Sequence, residues 1–184
     1  DPNKISRVKN YYLPLFHWVK SLLNERFTIL VGINGPQGSG KTTLCEALVD
    51  ACGNEGTKSA ALSIDDFYLT RQEQVALATK HPDNNYLQQR GYPGTHAVSL
   101  GYETLNKIKQ LKQSGSVLCP QYDKSAYKGQ GDRLLEAQWK TISAPLDILF
   151  FEGWMLGFNP IENHGIEDVH LKCINTLLAD YRKW

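Results

Sequence analysis

The sequence predicts an α/β fold, a mostly parallel sheet flanked by helices, and three observations predict it. Residues 27–33 form a continuous apolar run rich in β-branched side chains, the pattern of a strand buried on both faces. A glycine-rich turn follows at once and leads into a helical pattern. A second apolar run at residues 59–64 then completes a strand–helix–strand unit, whose crossover should be right-handed.

The elements follow in chain order. Residues 4–23 place Ile5, Val8, Tyr12, Leu15, Phe16, Val19 and Leu22 at helical spacing, which predicts an amphipathic helix packed on the body of the domain. Pro14 should kink it or divide it in two. After the strand at 27–33 and the turn, a helix is expected over 42–51, ended by the glycines of residues 53–56. The strand at 59–64 is followed by helices over 71–79 and 102–113. Between those helices, residues 81–96 are polar, hold Pro82, Gly91, Pro93 and Gly94, and lack periodicity, as functional or mobile segments do. Val117 and Leu118 suggest a short strand, residues 146–151 a third clear strand, and residues 168–181 a final helix. The whole reads as one domain, 1–184, opening with a helical segment at 1–24. Because a doubly wound sheet commonly continues beyond such a helix, the chain is expected to lack a C-terminal strand.

Composition narrows the function classes. A net charge of +1 argues against a nucleic-acid or membrane-surface binder, while leaving room for a local basic pocket that holds a small anion. No apolar run approaches bilayer-spanning length, and the N-terminal residues do not read as a secretory signal. Cys45, Cys52, Cys119 and Cys173 show no metal-binding spacing and read as reduced, mostly buried thiols. That places the protein in the cytoplasm, or in an organelle after removal of a transit peptide.

Gly35-Pro36-Gln37-Gly38-Ser39-Gly40-Lys41-Thr42 matches the pattern GxxxxGK followed by Ser or Thr, placed between a buried strand and a helix. Glycines let backbone amides turn inward around phosphate oxygens, Lys41 adds a fixed cation, and Thr42 offers a hydroxyl to magnesium. The helix after Gly40 points its positive end at the same anion. The fold is therefore of the P-loop NTPase type, with ATP on residues 35–43.

Asp65-Asp66-Phe67-Tyr68 lies at the end of the second strand, where open α/β sheets hold their ligands. A carboxylate there can accept a proton from an attacking hydroxyl or order a metal shell; it can equally cap the next helix. Glu152, after the third strand, suits magnesium ordering or a plain strand-end carboxylate. The loops holding Arg90, His96, Tyr122, Lys124 and Arg133 have the chemistry to grip a small hydroxylated anion, or are solvated charge. His17, His81, His164 and His170 have no evident role, and Trp18, Trp139 and Tyr181 read as packing.

The segments GPQGSGKTTL, SIDDFYLT, RGYPGTH, PQYDKSAYKGQGDR and FEGWMLGFNP together resemble the P-loop kinases of the phosphoribulokinase, uridine kinase and pantothenate kinase superfamily. Within it they are most similar to the plant and cyanobacterial type of D-glycerate 3-kinase and its fungal ATP-binding relatives. The resemblance runs from about residue 27 to 160. It implies transfer of the ATP γ-phosphoryl group to a hydroxyl of D-glycerate or a similar small acid, with magnesium. Lys41, Asp65 and Glu152 would be catalytic, and Thr42, Asp65 and Glu152 would hold the metal. Gly35, Pro36, Gln37, Gly38, Ser39, Gly40, Lys41, Thr42 and Thr43 would bind ATP. Asp66, Tyr68, Arg90, His96, Tyr122, Lys124 and Arg133 would surround the acceptor. The family's region beyond residue 184 would supply a further strand, part of the adenine pocket and the lid that closes over ATP. A nucleoside, pantothenate or sugar kinase, or a non-catalytic ATP-binding protein, stays open. Where the family usually has Asp after the histidine of PGTH, this chain has Ala97.

Overall fold

A computed structural model describes residues 2–23 and 25–183, and these gather into two compact units. Asp1, Asn24 and Trp184, which fall within the expected domain, lie outside the described residues. The strands are β1 (Ile29–Asn34), β2 (Ser59–Ser63), β3 (Ser116–Cys119), β4 (Tyr122–Asp123), β5 (Asp132–Arg133), β6 (Lys140–Ser143) and β7 (Ile148–Gly153). The helices are α1 (Pro2–Arg7), α2 (Leu13–Ser21), α3 (Lys41–Asn54), α4 (Arg71–Lys80), α5 (Val98–Lys109), the four-residue turn α6 (Ala126–Gly129) and α7 (Val169–Leu178). β3 pairs with β6 in a two-stranded sheet.

The first unit contains the chain up to Ser63 with Asn106–Val117 and Ile142–Leu156. Its centre is a parallel sheet in the order β1-β7-β2, so the last strand in sequence lies between the first two. Every residue of β7 is buried, which is why Ile148-Leu149-Phe150-Phe151 shows no polar alternation. The register sets Glu152 level with Ile33 on one side and Ser63 on the other. Leu44, Cys45, Leu48 and Cys52 of α3 close over one face together with Phe16 and Val19 of α2. The apolar stripe at helical spacing in α3 is what drives this packing.

Several boundaries differ from expectation for identifiable reasons. The N-terminal helix divides at a π-helical turn, Val8–Tyr12, where the Leu13 N–H reaches back to the Val8 carbonyl. Pro14 sits in the first turn of α2, where its missing donor is tolerated. Tyr12 and Leu15 pack against the core, but Ile5 and Val8 are exposed, so the amphipathic face does not extend to the start of the chain. β1 begins two residues late because the Thr28 N–H donates to the Lys109 carbonyl (3.4 Å) and its hydroxyl to the Leu146 carbonyl (2.8 Å). Phe27 is left exposed. Trp18 is 54% exposed and is not core packing.

The second unit contains Ile64–Leu105, Leu118–Thr141 and the chain from Gly157 onward. α4 starts on a capping box: the Glu73 N–H donates to the Thr70 hydroxyl (3.3 Å), and the Thr70 N–H to the Glu73 carboxylate (2.8 Å). β4 and β5 pair antiparallel, Tyr122 opposite Arg133, a ribbon too short to leave a strand pattern in the sequence. α7 starts on Asp168, whose carboxylate accepts from the His170 and Leu171 N–H groups. Its expected end at Tyr181 gives way to a 3-10 turn from Ala179.

α5 begins at Val98, four residues earlier than its apolar pattern predicts. The Ala97 carbonyl accepts from the Gly101 N–H (3.1 Å), so Ala97 is the N-cap, and its side chain has no oxygen to satisfy the next amides. Ala97→Asp is expected to stabilise the protein by about 1 kcal/mol. Urea denaturation of both proteins checks this; an unchanged midpoint would show that this helix start gains nothing from a side-chain cap.

Candidate active site

In the first unit, the chain leaves β1 at Asn34 and turns through residues 35–40 into α3. Gly40 has φ 84°, a left-handed conformation that costs glycine nothing and other residues a steric clash. The turn is tied back to the sheet by the Gly35 N–H, which donates to the Gly153 carbonyl at the end of β7 (3.2 Å). The Leu44 N–H donates to the Gly40 carbonyl (2.9 Å), so α3 starts at the loop and its positive end faces the turn. Lys41 Nζ donates to the Pro36 carbonyl (3.0 Å), folding the ammonium across the loop.

At the other side of the turn, the Thr42 hydroxyl donates to Glu152 Oε1 (3.2 Å). Glu152 is buried at the end of the central strand. A hydroxyl and a carboxylate in contact are the hard oxygen donors that magnesium takes, usually with waters and substrate phosphates completing the shell. The pair therefore fits the ion. Cys45, one turn into α3, is buried in the core; burial, then the negative charges of Glu152 and Glu46, push its thiol up to about 12. A cavity of about 620 Å³ opens over the loop, walled by Gly35, Pro36, Gly38 to Lys41 and Thr43, and also by Arg7, Tyr11 and Tyr12. No sequence signal had connected these last three with the loop.

The second unit brings together most of the residues expected around an acceptor. Asp65 lies two residues beyond β2, in a 3-10 turn, Ile64–Phe67. Its carboxylate pairs with Lys124 Nζ at 2.6 Å. Tyr68 is also hydrogen-bonded to Asp65; burial first, and then that carboxylate's charge, hold its phenol well above the usual tyrosine range. Tyr122 stands edge-on to the Tyr68 ring, with centroids 5.3 Å apart. His96 stacks on Tyr68 with centroids 4.4 Å apart, and its Nδ1 meets the Tyr181 hydroxyl at 2.7 Å. Tyr181 is thus more than packing.

The two arginines are placed differently from expectation. Arg90 donates to the carbonyls of Gly129, Gln130 and Lys124, and lies over the Tyr122 ring. Its fork holds the loop that carries Lys124. Arg133 is largely buried and donates to the Tyr68 carbonyl at 2.6 Å. Both side chains position the cluster rather than present bare charge. Asp66 lies in the same 3-10 turn as Asp65, whose last residue, Phe67, is fully buried.

The loop that Arg90 grips is strained. Tyr127 and Lys128 have φ of 51° and 59°, unfavourable for residues with side chains, and such strain persists only where surroundings enforce it. Gly131 cannot carry a side chain: a Cβ would stand 2.5 Å from the Tyr122 ring and 2.9 Å from Arg90 Nη1. A cavity of about 700 Å³ lies within this unit, walled by Arg71, Gln74, Arg90, Tyr122, Lys128 and their neighbours. Three of its wall residues are cationic and none carries a carboxylate. Arg71, Arg90 and Lys128 form no ion pair among the described residues. Gln74 Oε1 is buried without a hydrogen-bond partner.

A model of the phosphoribulokinase/uridine kinase family matches residues 30–165. The chain is 39% identical to the protein named chloroplastic D-glycerate 3-kinase of Arabidopsis thaliana, over 97% of this chain and 42% of that protein. It is 43% identical to the uncharacterized kinase mug58 of Schizosaccharomyces pombe, over 83% of this chain and 59% of that protein. The solved structure of D-glycerate 3-kinase from Cryptococcus neoformans superposes with a TM-score of 0.76 at 32% identity, over 97% of this chain and 68% of that one. The chain thus spans about half the length of the curated relatives it matches.

Burial of His96 has a pH consequence. Desolvation lowers its imidazole from 6.5 to about 3, against a smaller upward pull from Asp65. Between those values the unfolded chain binds a proton that the folded chain refuses, so this stability is complete above pH 6.5 and is lost as pH falls toward 3. The slope is on the order of 1 kcal/mol per pH unit. His96→Asn should flatten the fall in stability between about pH 6 and 4, measured by urea denaturation at each pH; parallel curves for the two proteins would mean that the imidazole protonates in the folded state.

Proposed function

The chain belongs to the phosphoribulokinase/uridine kinase family, and on that premise we propose that it transfers the γ-phosphoryl group of ATP to a hydroxyl of D-glycerate, giving 3-phosphoglycerate. The observation that carries the choice of acceptor is the cavity of the second unit, whose wall holds Arg71 and Lys128 beside the loop-clamping Arg90 and no carboxylate. Such a wall favours a small acid over an uncharged nucleoside. The likeness to proteins named D-glycerate 3-kinase supports the same reading.

The roles follow from the chemistry of phosphoryl transfer, which is mainly positioning and charge stabilisation. The loop of residues 35–43 and Lys41 hold the triphosphate. Thr42 and Glu152 would hold magnesium, which supplies charge neutralisation when bound. Asp65 accepts the proton of the attacking hydroxyl as the new P–O bond forms and the β–γ bridging bond breaks. Lys124, paired with Asp65, holds that carboxylate in position. Arg90 and Arg133 fix Lys124 and Tyr68 in place, and Arg71 and Lys128 face the acceptor's carboxylate. The partner is a small molecule. We place the protein in the cytoplasm or, as with its chloroplastic relative, in an organelle; no described helix is long and apolar enough to cross a membrane.

An assay coupling ADP release to oxidation of NADH, run with D-glycerate, uridine, pantothenate and ribulose 5-phosphate, tests the acceptor. D-glycerate alone should stimulate turnover; stimulation by uridine instead would overturn the assignment. Lys41→Ala should abolish transfer, and Asp65→Asn should lower kcat by about 10^2–10^4-fold. A loss below threefold for Asp65→Asn would mean that another group takes the proton.

A further inference from the structure

Part of the wall of the P-loop cavity lies outside the loop itself. It comes from the π-helical turn at the N-terminus, which brings Arg7, Tyr11 and Tyr12 to the same cavity as Gly38 to Lys41 and Thr43. The two tyrosines differ. Tyr12 packs against the core of α2, α3 and the sheet, which accounts for it. Tyr11 is 56% exposed, standing beside a polar loop with its ring tilted against that of Tyr12, centroids 5.9 Å apart. Single-turn π segments occur often at functional sites, and this one directs an aromatic ring at a nucleotide-sized cavity.

The electrostatics agree. The cavity's wall residues include two cations, Lys41 and Arg7, and no carboxylate. Arg7 stands four residues before Tyr11, so both project to one side of the helical segment. Arg7 forms no ion pair among the described residues. An exposed aromatic face beside a guanidinium is the combination on which nucleobases stack, since every base offers a π-face and the charge answers the phosphates.

We propose that the N-terminal turn is the base-binding wall of the nucleotide site: the Tyr11 ring stacks on the purine, and Arg7 adds a second positive charge for the phosphate chain. This rests on the reading of the P-loop as an ATP site and extends it to residues outside that motif. Base recognition is thereby assigned to a segment that precedes the sheet. The discrimination it offers is for a base over none, and for a flat aromatic ligand over a compact anion.

Isothermal titration of the full chain with two probes, Mg·ATP and Mg·tripolyphosphate, tests this. Tyr11→Ala should weaken Mg·ATP by about 5- to 100-fold and leave Mg·tripolyphosphate unchanged. Tyr11→Phe should bind both as the wild type does, because the ring is retained. Arg7→Ala should weaken both probes. Equal ATP affinity in Tyr11→Ala and wild type would overturn the proposal, and so would an equal loss for both probes, which would signal a distorted loop rather than a lost platform. Absence of Mg·ATP binding by the wild type would instead sink the nucleotide reading itself, a result separable from either.

Discussion

The seating of β7 between β1 and β2 is the constraint on which the nucleotide end of the molecule depends. Six buried residues, all in parallel register with β1 and five of them with β2, leave that strand no freedom to slip. A shift of one residue would turn Glu152 to the opposite face and take it from Thr42. The same strand end receives the Gly35 amide through Gly153, so the loop and the acidic residue are located by one backbone. Hydrophobic burial, which is non-directional, is thus converted into a fixed distance between a hydroxyl and a carboxylate.

The second cluster is organised by different means. It has no large sheet, and its geometry comes from a stack of rings, His96 on Tyr68 with Tyr122 edge-on, and from guanidinium groups clamped on carbonyls. Aromatic stacks and charged hydrogen bonds are directional, so they can hold a loop that secondary structure does not. Strain at Tyr127 and Lys128 is the counterpart: the loop adopts an unfavourable backbone because Arg71 and Arg90 grip it from outside.

Much of the fold was legible because it follows from short-range rules. The buried strands, the glycine turn, and the helices after Gly40 and Thr70 each leave a local trace in residue type and spacing. What escaped was set by partners distant in sequence. Thr28 leaves β1 because of Lys109 and Leu146, and the β4–β5 ribbon exists through a two-residue pairing. Asp65 and Lys124, 59 residues apart, were each suspected, but their pairing could not be read from either segment. Arg90 shows the limit most clearly. Its charge suggested a ligand contact, while its partners turned out to be three backbone carbonyls. Tyr11 left no signal, since an exposed tyrosine on a helix resembles any other.

The Cys45 thiol carries a further implication. With its ionisation pushed up to about 12, Cys45 stays protonated throughout the physiological range, and a protonated sulfur is a poor target for peroxide or disulfide exchange. Oxidative stress would therefore reach the half-buried Cys173 of α7 before Cys45, and damage would begin at a distance in sequence from the glycine-rich turn. Redox tolerance at this position is a by-product of tight packing and a neighbouring negative charge, requiring no dedicated protective group.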